Sequence, residues 1–246
     1  MVLGGRGQVG KLLVPLLESE GHRVVVASRV GEVSADLVTG EGLVAAVAGA
    51  DTVVLLASNP KSPETVDVRG SENLLDVLES QHLVYLSIVG VDRHPLPYYQ
   101  AKRAAELMIL DSGCPHTIVR ATQFHSFVEW RLKSWCHRKI ALVPAGYVFQ
   151  PVAAEEVAGD LARIVKGPPG GLVPDFAGPE ILPIATLART YMTAKGQETP
   201  LIAYPKPGGV AAAYRDGVHT NPERAVGVTT WATYLRDRFG HWPFQE

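Results

Sequence analysis

Several features that mark other classes of protein are scarce in this chain of 246 residues. Its two cysteines, Cys114 and Cys136, form neither a Cys-x-x-Cys pair nor a disulfide framework, so we expect them to be small buried hydrophobic residues. The net charge is −2 and no basic run stands out, which argues against nucleic acid or an anionic membrane as a partner. The histidines show no metal-ligand spacing, so we predict no metal site.

Long apolar runs and targeting signals are also missing. No apolar stretch approaches the length of a membrane-spanning helix, and no charged segment followed by an apolar one opens the chain. We therefore expect a cytoplasmic protein. With 46% hydrophobic and 20% charged residues, the chain can bury a core and form one large α/β domain or a domain with a substrate-binding lobe.

The first ten residues contain three regularly spaced glycines, Gly4, Gly7 and Gly10. They follow the apolar pair Val2-Leu3 and open a segment, residues 7–20, whose leucines recur on one helical face. A strand-loop-helix unit of this kind directs backbone N–H groups and the positive end of a helix dipole toward an anion. The triplet by itself fits a tight turn with close helix packing as well as a phosphate site.

The end of the second predicted strand, residues 23–27, indicates which phosphate is involved. It runs into Ser28 and Arg29, where dinucleotide-binding folds that prefer NAD place an acidic residue, and where an Arg accommodates a 2′-phosphate. Arg6, inside the glycine loop, could be a second phosphate ligand. Both arginines could also be solvated surface residues, yet together they favour NADP(H) over NAD(H).

Strand-like and helix-like segments alternate over the first half of the chain, which predicts a Rossmann-type, doubly wound parallel sheet with helices on both faces. Further strands are predicted at 51–56, 83–87 and 116–120, and helices near 43–48, at 65–78 and at 98–110. After Phe124 the alternation breaks down, with predicted helices at 125–135, 155–165 and 184–195 and short strands at 140–143 and 148–152. We expect a cofactor-binding core in residues 1–123 and, in 124–246, mostly a smaller substrate-binding lobe with elements that return to the core.

A second chemical signature combines Ser87, Tyr98 and Lys102. Tyr98 and Lys102 are four residues apart, so on a helix they share one face. A nearby lysine favours the charged form of a phenol and lets it exchange a proton with a carbonyl or alcohol oxygen near neutral pH. Ser87 ends the preceding strand and could hold that oxygen in place.

Taken together, these motifs resemble the short-chain dehydrogenase/reductase superfamily in its atypical, NmrA-like NAD(P)H-binding branch. Further matching features are Asp36-Leu37 after the second strand, Leu-Ala-Ser at 56–58 after the third, and the segments 119–125 and 149–157. Ser87 and Tyr98 are eleven residues apart, slightly closer than in ordinary members of the superfamily. The resemblance implies a cofactor site, whose residues would be Gly4, Arg6, Gly7, Gln8, Val9, Gly10, Ser28, Arg29, Asp36, Leu37, Leu56, Ala57, Ser58, Lys102, Thr122 and Gln123.

Within that site the resemblance assigns each group of residues a role. The glycine loop would hold the pyrophosphate, Ser28 and Arg29 the adenosine ribose or its phosphate, and Asp36 and Leu37 would flank the adenine. Residues 56–58 would line the cofactor, and Thr122 and Gln123 would approach the nicotinamide. Lys102 would bond the nicotinamide ribose, and Tyr98 would be the proton donor.

The substrate side is predicted from the aromatic and histidine residues after Arg120. Phe124, His125 and Tyr147 are candidates for an apolar pocket, although such residues at helical spacing are also typical of a core. The expected activity is an NADP(H)-dependent oxidoreductase acting on a small, hydrophobic or aromatic carbonyl or alcohol compound. A non-catalytic NADP(H)-binding regulator and a non-redox epimerase, dehydratase or cyclase stay open, as does assembly into a homodimer.

Overall fold

The structure is a computed structural model that describes residues 1–29, 33–136 and 139–240. The chain divides into two compact units. The first consists of Met1–Asp92, Leu96–Arg120 and Ala154–Pro174, and the second of Arg93–Pro95, Ala121–Ala153 and the chain from Asp175 onward. The backbone therefore passes from one unit to the other several times.

The first unit is built on a parallel β-sheet. Its strands are β1 (Val2–Leu3), β2 (Val26–Ser28), β3 (Val33–Ser34), β4 (Thr52–Leu55), β5 (His82–Ile88), β6 (His116–Ala121) and β9 (Gly171–Leu172). Their order is β3-β2-β1-β4-β5-β6-β9. The chain moves outward from β1 in one direction and then outward from β4 in the other, and ligands of such sheets bind where this reversal occurs, beyond the carboxyl ends of the strands. The predicted Rossmann-type doubly wound sheet is confirmed.

Helices cover this sheet. Their apolar residues recur every three to four positions, which gives each helix an apolar face that is buried against the core. They are α1 (Gly10–Ser19), α2 (Leu43–Val47), α3 (Gly70–Leu75), α4 (Pro97–Asp111) and α6 (Ala154–Val165). Helix α1 packs against α6, and Leu13 and Leu161 of these two helices are fully buried. A surface ion pair of 3.0 Å joins Lys166 Nζ to Glu20 Oε1 beyond the ends of these helices.

Two predicted helices of the first unit differ from the observed ones. The helix predicted from Gly7 begins at Gly10, because Gly7 N donates to Gly4 O at 2.9 Å and closes a turn instead. The helix predicted over 65–78 consists of a π-helical turn, Glu64–Arg69, followed directly by α3. Such π-helical turns are rare and are frequent at functional sites.

The second unit has a separate, aromatic-rich core. Its helices are α5 (His125–Trp135), α7 (Ile184–Ala194), α8 (Gly209–Arg215) and α9 (Trp231–Phe239), and its strands are β7 (Ala141–Pro144), β8 (Val148–Phe149), β10 (Leu182–Pro183) and β11 (Leu201–Tyr204). Strands β7 and β11 pair in parallel, and β8 and β10 pair antiparallel. The fully buried Trp231 donates its indole N–H to Thr190 Oγ1 at 2.8 Å and fixes α9 on α7.

Several of these elements were not predicted from the sequence. Helix α9 begins with a recognisable cap, since Thr230 Oγ1 accepts from Thr233 N at 3.1 Å. Strand β8 is shorter than the predicted 148–152, because its partner strand β10 has two residues and pairs only with Val148 and Phe149. Within the described residues, no helix has the length and apolar character needed to cross a membrane.

Candidate active site

The glycine loop between β1 and α1 is shaped by two glycines that a side chain could not replace. Gly4 has φ +87°, and a Cβ there would lie 2.6 Å from Ala57 N, the backbone that follows β4. A Cβ on Gly10, where α1 begins, would collide with the Gly5 backbone. At Gly7 a Cβ would meet only Gly4 O, at 3.1 Å. Gly4 and Gly10 therefore allow backbone segments to approach each other, while Gly7 is exposed.

This loop lies at the reversal point of the sheet. Leu56 N donates to Leu3 O at 2.9 Å, so the chain beyond β4 runs directly beside the loop. The loop exposes Arg6, Gly7 and Gln8 in front of the N-terminus of α1, with Val9 buried beneath. Such a surface fits a dinucleotide pyrophosphate, because backbone N–H groups and the helix dipole both favour an anion there.

Cationic side chains lie on the β2 side of the loop. Arg6 and Arg29 are exposed, and Ser28, at the end of β2, is half-buried. Arg6 also lines a cavity of about 650 Å³ beside α1 and β2, together with Lys11, Glu18 and Arg23. Arg23 precedes β2, so it lies at the end of that strand opposite to Ser28 and Arg29 and away from the carboxyl edge of the sheet.

Asp36 and Leu37 are held in place by contacts within the first unit. Asp36 Oδ1 accepts from Val38 N at 2.7 Å and from Thr39 N at 3.3 Å, which forms a side-chain turn. Leu37 is buried, and its Cγ lies 2.7 Å from the place where a Cβ of Gly70 would stand. Their assignment to the adenine remains a prediction from the resemblance.

Tyr98, on α4, reaches the end of β4 and not Ser87. Its hydroxyl lies 2.9 Å from Ser58 Oγ. Ser58 directly follows Ala57, whose backbone lies against Gly4. Ser58 Oγ in turn donates to Asp67 Oδ1 at 2.6 Å. The phenol and the glycine loop are therefore linked through three consecutive residues, 56–58.

Lys102 lies one turn after Tyr98 on the same helix, as predicted from the spacing. Its ammonium donates to Leu86 O at 2.9 Å, lies 3.2 Å from Asp67 Oδ1, and stands 4.6 Å from the centre of the Tyr85 ring. Burial opposes its charge, but the neighbouring Tyr85, Tyr98 and Asp67 outweigh that effect and raise the pKa of Lys102 above its ordinary value. Burial also raises the pKa of Tyr85, so that phenol stays protonated at neutral pH.

Ser87, the third member of the predicted catalytic set, is buried in β5. Its Oγ has no hydrogen-bond partner among the described residues. A buried hydroxyl without a partner costs free energy of about 1–3 kcal/mol, which a bound oxygen could recover. Its role in holding a substrate oxygen remains a prediction.

The other predicted site residues belong to the second unit. Thr122 Oγ1 accepts from Gly178 N at 3.0 Å, and Gln123 Nε2 donates to His219 O at 2.9 Å, so both side chains hold parts of that unit together. His125 is buried and stacks on Tyr234 with ring centres 4.9 Å apart.

Tyr147 is likewise buried, with Tyr214 stacked on it at 4.9 Å. Of the three predicted substrate contacts, Phe124, His125 and Tyr147, Phe124 is the one with partly exposed surface.

Asp67 is the main residue that sequence reasoning missed in this site. It lies in the π-helical turn Glu64–Arg69, and its side chain is 1% exposed. A carboxylate near the start of a predicted helix is usually a solvated residue that interacts favourably with the helix dipole, so its position did not mark it as a site residue. The one available signal was its place between two valines, Val66 and Val68, in the predicted helix.

Comparison with known families is consistent with this geometry. A family model described as NAD(P)H-binding matches residues 4–129, just over half of the chain. The chain therefore belongs to this NAD(P)H-binding family, and the predicted resemblance to the atypical, NmrA-like short-chain dehydrogenases/reductases is confirmed. A comparison with curated proteins gave no match.

Solved structures with the same fold include enzymes of different activities. An NADPH-dependent quinone oxidoreductase from Escherichia coli, in complex with NADPH, has a TM-score of 0.73 at 17% identity, over 98% of this chain and 94% of that one. Triphenylmethane reductase from Citrobacter sp., in complex with NADP(H), has a TM-score of 0.69 at 15% identity, over 98% and 95%. A UDP-glucose 4-epimerase from Thermus thermophilus, in complex with NAD, has a TM-score of 0.69 at 17% identity, over 91% and 97%. At these identities the likeness establishes the fold alone.

Proposed function

We propose that this protein is an NADP(H)-dependent oxidoreductase that interconverts a small, hydrophobic or aromatic carbonyl compound and its alcohol. The observation that carries this proposal is the 2.9 Å contact between the Tyr98 hydroxyl and Ser58 Oγ. Ser58 follows the strand end that meets Gly4, so a group able to transfer a proton lies beside the surface that fits a dinucleotide. The fold and family membership support a nicotinamide cofactor there.

The residues of the first unit would divide the reaction between them. The nicotinamide cofactor, bound at the glycine loop and residues 56–58, would supply the hydride that reduces the carbonyl carbon. Tyr98 would give its phenolic proton to the carbonyl oxygen, which yields the alcohol and leaves a phenolate that water reprotonates. The positive charge of Lys102 favours that phenolate, and the unpartnered Ser87 Oγ is available to hold the oxygen. In the opposite direction Tyr98 would take up the proton.

The preference for NADP(H) rests on charge around the glycine loop. Arg6 and Arg29 are exposed, and the end of β2 carries Ser28 where an acid would select NAD. Arginine binds phosphate with two parallel hydrogen bonds, which makes it suited to the 2′-phosphate. Two of the similar structures contain NADPH or NADP(H), whereas the epimerase contains NAD.

Substitution of the phenol tests the catalytic part of the proposal. Tyr98→Phe removes the hydroxyl and keeps the ring, so we expect kcat to fall by about 10²–10⁴-fold while the Kd for NADPH is unchanged. NADPH consumption would be followed by absorbance with a panel of aromatic aldehydes, ketones and quinones, and cofactor binding by fluorescence. Tyr204→Phe, at a half-buried tyrosine of β11 in the second unit, is the matched control.

The same variants separate the alternatives. Two results together would favour a regulator. The wild-type protein would bind NADPH but turn over none of the compounds, and the Tyr98→Phe variant would keep the effect of the wild type in cells. Conversion of a substrate without net NADPH consumption would favour an epimerase-type reaction, as in the similar enzyme from Thermus thermophilus.

Substitution of Arg29 tests the cofactor preference. Arg29→Asp removes the cation and places an acid at the end of β2, so we expect the Kd for NADPH to rise about tenfold or more and the Kd for NADH to be spared. The readout is fluorescence titration with each nucleotide. Arg189→Asp, at an exposed arginine of α7, should change neither value. Equal losses for both nucleotides, or for neither, would show that Arg29 does not recognise the 2′-phosphate.

A further inference from the structure

Asp67 is a buried carboxylate with partners on two sides. Its Oδ1 accepts from Ser58 Oγ at 2.6 Å and lies 3.2 Å from Lys102 Nζ, and its Oδ2 accepts from Asn59 N at 3.2 Å. Its side chain is fully buried, and that of Lys102 nearly so. Burying such a charge is unfavourable unless these partners compensate for it, so the arrangement depends on all of them.

The bond to Asp67 fixes the direction of the next bond. Ser58 Oγ has one hydrogen, and this hydrogen is donated to the carboxylate, which can only accept. The contact of 2.9 Å between Ser58 Oγ and the Tyr98 hydroxyl therefore has Tyr98 as its donor. A chain of hydrogen bonds runs from Tyr98 through Ser58 to Asp67, and the ion pair continues it to Lys102.

We propose that Asp67 is a positioning residue for proton transfer by Tyr98. Before substrate binds, it holds the Ser58 hydroxyl as the acceptor of the phenolic proton, which passes to the substrate oxygen once that oxygen binds, and it balances the charge of Lys102. This inference rests on the proposed oxidoreductase function. It adds Ser58 and Asp67 to the predicted set of Ser87, Tyr98 and Lys102. The π-helical turn brings Asp67 to this position.

The electrostatic consequence has a definite sign. The ionisable groups of the cluster are Tyr98 and Lys102 on α4, Tyr85 on β5 and Asp67 in the π-helical turn. Lys102 and Asp67 together have no net charge, so Lys102 stabilises a phenolate less than an isolated lysine would. Replacing Asp67 by a neutral residue of the same shape leaves the cation unbalanced and favours the phenolate of Tyr98. Adding or removing one charge within about 4–6 Å of an ionisable group changes its pKa by about one unit or more.

Asp67→Asn in the full-length protein tests this directly. Ionisation of Tyr98 is measured by ultraviolet difference titration, with the signal isolated by subtracting the same titration of a protein that also carries Tyr98→Phe. We expect the midpoint to move to lower pH by about one unit or more in Asp67→Asn, and to return close to the wild-type value in Asp67→Glu. The matched control is Glu106→Gln, which removes another fully buried carboxylate of the first unit, paired with Arg120 at 2.5 Å.

An unchanged midpoint in Asp67→Asn, or an equal shift in Glu106→Gln, would overturn the proposal. The titration needs neither substrate nor turnover, so its failure is distinct from failure of the oxidoreductase function. Should Asp67→Asn not fold, Ser58→Ala provides a second test: kcat should fall about tenfold or more at unchanged KM, with Ser58→Thr restoring it. A Ser58→Ala protein with wild-type kcat would equally refute the proposal.

Discussion

The first and second units use their polar and aromatic residues in opposite ways. At the sheet edge of the first unit, Tyr98 is half-buried and is held by a serine whose hydroxyl is fixed by the buried Asp67. In the second unit, His125 and Tyr147 lie inside a core of stacked rings, each 2% exposed. Residues of similar chemistry therefore take part in a hydrogen-bonded chain in one unit and in ring packing in the other.

This contrast shows why exposure and hydrogen bonding are better guides to function than residue type. The stacked rings of the second unit remove apolar surface from water. This burial stabilises the folded state by about 25 cal/mol per Å², whichever aromatic residue supplies the surface. A chain of hydrogen bonds that ends on a charged group has one arrangement in which every donor and acceptor is paired. Such a chain therefore fixes the orientation of the Tyr98 phenol. Three predictions test this contrast, beginning with the largest expected effect.

Removing a stacked ring from the second unit should cost the most stability. Tyr147→Ala deletes a buried side chain that packs on Tyr214, and we expect the free energy of unfolding to fall by about 3–5 kcal/mol, as for other large aromatic residues in cores. Urea denaturation measures this value. Trp130→Ala, at an aromatic residue of α5 that is 57% exposed, should cost about 0.5 kcal/mol or less. Equal effects would mean that Tyr147 is not a core residue.

A methyl group in the glycine loop should have the next largest effect. Gly4→Ala combines a left-handed backbone with a Cβ placed 2.6 Å from Ala57 N, and we expect a loss of about 2–4 kcal/mol in the free energy of unfolding. In Gly7→Ala the added Cβ meets a single backbone oxygen at 3.1 Å, so its loss should be about 1 kcal/mol or less. If both variants unfolded at the same urea concentration, the close approach at Gly4 would not govern the loop.

The smallest effect concerns pH and two buried imidazoles of the second unit. Burial lowers the pKa of His94 and of His219 to about 4. The unfolded chain therefore takes up protons near pH 6.5 that the folded protein does not, so stability is full above that pH and falls as the pH drops toward 4. Between pH 7 and pH 5 each ring should account for about 2 kcal/mol of the loss.

Chemical denaturation at these two pH values, with the wild type and His219→Gln, isolates the contribution of one ring. The variant should show a smaller loss of stability between pH 7 and pH 5. His22→Gln, at an exposed histidine of the first unit, should behave like the wild type. A pH dependence of His219→Gln identical to that of the wild type would contradict this explanation.

Much of the first unit could be predicted from local patterns. Helix α4 was expected at 98–110 and spans Pro97–Asp111, because its apolar spacing and its proline at the first helical position are local signals. Strands β10 and β11 escaped prediction, since they are short and depend on pairing with β8 and β7. The hydroxyl partner of Tyr98 could not be predicted either, because Ser58 lies 40 residues away along the chain.

The sequence by itself determined the glycine loop, the alternation that produces a doubly wound sheet, and the spacing that places Tyr98 and Lys102 on one helical face. These are properties of neighbouring residues, and helix and strand periodicity expose them directly. The tertiary structure alone decided that Asp67 and Ser58 meet Tyr98 and that His125 and Tyr147 are buried. The physical reason is that burial and hydrogen-bond partners follow from segments distant along the chain, which come together when the sheet edge and the aromatic core form.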